Sequence, residues 1–130
     1  MTHHRKRILI VEDEADLREL LMWTLVQAGF EVAVAADGEA ALRNAAAAVP
    51  DLVLLDLLLP KVDGYGVCRH LREHPETASI PVLVLSATDA PDSPDRCRAC
   101  GATDFIAKPF SVRDLKDRIA NALSSPHCTH

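Results

Sequence analysis

"LVLLDLLLPKVDG", residues 52–64, sets one carboxylate, Asp56, inside an otherwise apolar run of Leu and Val. An isolated ionised Asp in such a setting carries a heavy desolvation cost, so either the run is a strand that ends at Asp56, where the carboxylate can meet water or a cation, or the run is not core. The Pro60 and Gly64 that follow mark a loop before the next element.

Four further short runs have the same character: "RILIVE" (7–12), "EVAVAA" (31–36), "PVLVLSA" (81–87) and "DFIAK" (104–108). They lack a helical period and suit strands of a parallel sheet buried on both faces. Helical stretches separate them. "EADLRELLMWTLVQAG" (14–29) carries Leu17, Leu21 and Leu25 on one face and closes at Gly29, and "DGEAALRNAAAA" (37–48) opens at Asp37 as N-cap. A third helix follows "VDG" to about His74, and "SVRDLKDRIANAL" (111–123) starts at Ser111 with Leu115, Ile119 and Leu123 aligned. Before it, Pro91 and Pro94 delay a short helix to a start at Ser93 and Pro94. The alternation predicts a doubly wound α/β fold: a five-stranded parallel sheet with helices on both faces and a ligand crevice at the carboxyl ends of the strands.

A length of 130 residues, 48% hydrophobic and 25% charged, fits one domain spanning 1–130, with a core from about 7 to 123 and short tails. No apolar run approaches the roughly 20 residues that span a bilayer, and the amino end is unlike a signal peptide, so a cytoplasmic protein without a membrane partner is expected. A formal net charge of −5 argues against direct binding of nucleic acid, which needs a basic face.

The predicted carboxyl edge gathers Glu12 and Asp13 after the first strand, Asp56 after the third, Ser86 at the fourth and Lys108 at the fifth. Three neighbouring carboxylates repel one another unless a divalent cation joins them, and an oxygen-only donor set suits Mg²⁺. Lys108 and Ser86 offer the positive charge and the hydroxyl that a phosphoryl group in transit requires. Asp56 is then the nucleophile, because a carboxylate can take a phosphoryl group as an acyl phosphate.

"ILIVEDE", "DLVLLDLLLPKVDGYG", "PVLVLSA" and "GATDFIAKPF" occur in order, and from about Arg7 to Leu123 the chain resembles the receiver domain of two-component response regulators, the CheY-like superfamily. The resemblance implies strand order 2-1-3-4-5, with Asp56 as phosphoacceptor and Asp13, Asp56, Glu12 and the backbone carbonyl of Leu58 around Mg²⁺. It further implies Ser86 as switch hydroxyl, Lys108 as counter-charge, a cis Lys108–Pro109 peptide and Phe105 as switch aromatic. Phe105 lacks the hydroxyl of the tyrosine frequent at that family position, so any hydrogen bond from that group is missing. The implied partners are a histidine kinase or histidine phosphotransfer protein as donor and a downstream effector protein or domain. The output face implied by the resemblance is that of the helix after Ser93, the last strand and the last helix.

Competing classes fit less well. A haloacid-dehalogenase-type phosphatase needs a second Asp two residues past the nucleophile, where Leu58 stands, so the chain is expected to act on itself and not as an enzyme on other substrates. A flavodoxin-like carrier needs a hydroxyl-rich loop where "EDEAD" (12–16) stands. A phosphorylation-independent receiver-like binding module is the alternative, opposed by Asp56, Ser86 and Lys108. Cys97 and Cys100 in "CRAC" have the spacing of a redox pair or of half a zinc site, but they fall late in their helix, away from the N-terminus that activates a thiolate, with no second ligand pair nearby, and read as packing residues.

Overall fold

In the computed structural model, which describes residues 6–56, 64–75, 77–87, 104–108 and 111–124, each run becomes the element expected of it. The strands are β1 (Arg7–Val11), β2 (Glu31–Ala35), β3 (Leu52–Asp56), β4 (Val82–Ala87) and β5 (Asp104–Lys108). The described helices are α1 (Ala15–Gln27), α2 (Gly38–Ala47), α3 (Gly64–Glu73) and α4 (Val112–Ser124). The helix expected from Ser93 and the cysteines Cys97 and Cys100 lie outside the described residues.

All strand pairs are parallel, in the order β2-β1-β3-β4-β5. The sequence leaves β1 toward β2 on one side and reaches β3 on the other, so strand order reverses between β1 and β3. In sheets of this kind ligands bind at such a reversal, outside the carboxyl ends of the strands.

Alternation along each strand divides the core. Leu9, Val11, Val53, Leu55, Val82 and Val84 pack on one side with Ala41 and Ala45 of α2 and Val67, Cys68 and Leu71 of α3. Ile8, Ile10, Leu52, Leu54, Leu83 and Leu85 pack on the other with Leu21 and Leu25 of α1 and Leu115 and Ile119 of α4. The central strands are therefore buried on both faces. β2 departs from that expectation: Val32 and Ala33 are half-buried and Val34 is exposed, because β2 is an edge strand and has one neighbour.

Local chemistry sets the helix ends. Asp37 Oδ1 accepts from the Ala40 N–H at 2.9 Å and Ser111 Oγ from the Asp114 N–H at 3.0 Å, as expected of N-caps. At the end of α1, Gly29 adopts φ 97°, a left-handed conformation, while its N–H donates to the Val26 carbonyl and the Phe30 N–H to the Leu25 carbonyl, each at 3.0 Å. This paired closure is a Schellman motif, and half-buried Phe30 packs against the core that holds Leu25. Beyond α3, Arg72 Nη1 donates to the carbonyls of Ala78 at 3.1 Å and Ile80 at 2.6 Å, pinning the irregular link into β4.

Candidate phosphoacceptor site

Strand register brings the candidate site residues to one edge. Val11 pairs with Leu55, Asp56 with Leu85, Ser86 with Ala107, and Ala87 with Lys108. Glu12 and Asp13 leave β1, Asp56 ends β3, Ser86 is the penultimate residue of β4 and Lys108 ends β5. These positions line up along the carboxyl edge, and the acidic ones flank the point where strand order reverses. For Asp56, Ser86, Phe105 and Lys108 the structure describes the backbone; Leu58 and Pro109, and with it the expected cis peptide, lie outside the described residues.

The β1 end is held from several directions. The Glu12 N–H donates to the Ala35 carbonyl at 3.0 Å, extending the β1–β2 ladder by one residue. Glu12 is only 1% exposed, a setting in which a carboxylate needs compensating donors or positive charge. One donor is the Glu14 N–H, 3.2 Å from Oε2. Asp13, in contrast, is exposed. The N-cap of α1 is Glu14, so Asp13 does not perform the capping that commonly occupies an Asp before a helix.

Sequence reasoning missed Arg18. Its Nη1 donates to the Glu12 carbonyl at 3.0 Å and reaches the Asp13 carbonyl at 3.5 Å, bracing the acidic turn against the first turns of α1. The available signal was an Arg one helical turn past "EDE", within reach of the carbonyls before the helix.

The donor set at the β1 end consists of carboxylate and carbonyl oxygens, with no sulfur or imidazole, which fits a hard divalent cation of the Mg²⁺ type. Among the described residues no group of three or more His, Cys, Asp or Glu converges. The third expected carboxylate belongs to Asp56, of which the backbone is described. No helix among the described residues is long and apolar enough to cross a membrane.

Residues 8–120 match the family model of the response regulator receiver domain. The chain is 40% identical over 114 residues to the alkaline phosphatase synthesis transcriptional regulatory protein PhoP of Bacillus subtilis, covering 88% of this chain and 47% of that protein. It is 41% identical over 113 residues to the DNA-binding dual master transcriptional regulator RpaA of Synechocystis, covering 87% and 47%. Among solved structures, the receiver domain of the sensor histidine kinase PA1611 of Pseudomonas aeruginosa superposes with TM-score 0.86 at 30% identity, over 94% of this chain and 100% of that one. That structure holds a magnesium ion in its active-site cleft.

The chain belongs to the receiver domain family of two-component response regulators. It spans about half the length of the curated relatives it matches, 47% of each of the two named. Those relatives are transcriptional regulators, one of them DNA-binding, so the expectation of no nucleic-acid contact rests here on the charge of −5 alone.

Proposed function

We propose that residues 1–130 form one signalling domain, acting in the cytoplasm, that takes a phosphoryl group onto Asp56 from a histidine kinase or histidine phosphotransfer protein. The reading is carried by the strand register, which ends β3 at Asp56 beside the Glu12–Asp13 turn and one strand from Ser86. A carboxylate oxygen of Asp56 attacks phosphorus, the bond from phosphorus to the donor nitrogen breaks, and the nitrogen keeps the electron pair and takes up a proton. In hydrolysis water attacks phosphorus, the bond from phosphorus to the Asp56 oxygen breaks, a proton passes to solvent, and inorganic phosphate and the free carboxylate result.

Glu12, Asp13, Asp56 and the Leu58 carbonyl would hold Mg²⁺, which supplies neutralising charge to the phosphoryl oxygens. Lys108 provides a fixed positive charge and Ser86 a hydroxyl donor for those oxygens. Leu58, two residues past the acceptor in sequence, is given the role of keeping hydrolytic water away. The acyl phosphate shifts a two-state equilibrium through Ser86 and Phe105 and alters the surface that a downstream effector reads. Exposed Leu20 and Trp23, three residues apart on α1, give the incoming donor protein an apolar surface on the helix that follows the acidic turn.

Incubation with phosphoramidate, with Mg²⁺ or with excess EDTA, tests the reading. Gain of one phosphoryl group in the Mg²⁺ sample alone is the expected outcome. Gain in both samples refutes the metal's role, and gain in neither refutes phosphoryl acceptance.

A further inference from the structure

Away from the acidic edge, two imidazoles share one side of α3. His70 and His74 are four residues apart, the spacing that stacks side chains one turn above another. Their rings lie with centroids 5.5 Å apart and planes 15° from parallel, and both residues are exposed. His74 Nδ1 is 2.8 Å from the His70 carbonyl oxygen. That oxygen can only accept, so Nδ1 carries the proton and the lone pair of His74 is on Nε2. Metal-binding imidazoles are commonly held this way, with one ring nitrogen tied to a carbonyl and the other presented to the ion.

The pair lines a groove of about 340 Å³ between α2 and α3, together with Leu42, Arg43, Leu71 and Thr77. We propose that His70 and His74 form a two-imidazole site for a transition-metal ion of the Zn²⁺ class, separate from the acidic edge. Imidazole nitrogens select Zn²⁺, Cu²⁺ or Ni²⁺ over Mg²⁺, which prefers oxygen. Among the described residues no third His, Cys, Asp or Glu joins the pair, so the other coordination positions go to water or to a small ligand in the groove. Arg43 puts a positive charge on the same groove; it is exposed, where solvent and salt screen its repulsion of the ion.

The test is a Zn²⁺ titration of the ¹⁵N-labelled protein, read at the ring nitrogens of each histidine. His70 and His74 are expected to shift with one shared midpoint, and Nε2 of His74 to move most. In His70→Gln the His74 response moves to Zn²⁺ concentrations on the order of 100-fold higher, because the second ligand's effective concentration is lost. His74→Gln does the same to His70. An Asp56→Asn variant keeps the wild-type response, which separates this site from phosphoryl acceptance. Absence of any shift at the two rings, two different midpoints, or an unchanged His74 midpoint in His70→Gln each overturns the proposal.

Discussion

Val11 of β1 and Leu55 of β3 are register partners, so the residues that follow them, Glu12 and Asp56, stand side by side at the carboxyl edge of the sheet, at the point where strand order reverses. One buried apolar pair thus fixes the relative position of two acidic positions that are 44 residues apart in sequence (56 − 12).

Cation binding at the edge should stabilise the fold by mass action, because the acidic positions come together only in the folded chain. Melting temperature is expected to rise with Mg²⁺ concentration toward saturation of one site. In Asp13→Ala that response should be largely lost, and a variant that responds as the wild type does would exclude Asp13 from the site.

Gly29 holds φ 97° with nothing within 4 Å of a built Cβ, so substitution there meets conformational cost without steric clash. Gly29→Ala is expected to destabilise by about 1–2 kcal/mol, the usual penalty for a left-handed L-residue. Urea denaturation measures this through a lower midpoint at constant slope.

Ser111 and Asp37 each satisfy one orphan amide of a helix. Removing either oxygen by Ser111→Ala or Asp37→Ala should cost about 1 kcal/mol, and the double variant should show the sum, since the two caps belong to helices on opposite faces of the sheet. A marked departure from additivity would show that the two ends are coupled through the sheet.

Leu58 stands two residues past Asp56 in sequence, and the proposed function gives it the exclusion of hydrolytic water. Leu58→Asn is expected to shorten the lifetime of the phosphorylated form, measured as the decay of its intact mass after the donor is removed. An unchanged lifetime would relieve Leu58 of that role.

Much of this architecture could be read from the chain because two periodicities alternate along it. Runs such as "RILIV" have no polar face, which only a central parallel strand accommodates, and the stripe of Leu17, Leu21 and Leu25 fits only a helix. Asp37 and Ser111 were legible as caps because the capping bond is local. Features set by tertiary placement were not. Strand position in the sheet decides the exposure of Val34, and sequence assigned its run to a fully buried strand. Arg18 under the acidic turn and Arg72 on the carbonyls before β4 act through backbone atoms brought near by chain reversal, which residue spacing alone does not reveal. At the site, the residue types in the sequence suggest the chemistry, whereas the register Val11–Leu55 and Asp56–Leu85 is what sets the two acidic ends beside the Ser86 strand.

The most direct measurement is the intact mass of the protein after incubation with Mg²⁺ and phosphoramidate, taken beside that of an Asp56→Asn variant. Gain of one phosphoryl group by the wild type and none by the variant is the predicted result. Equal gain by both would place the acceptor on another residue and contradict the central claim.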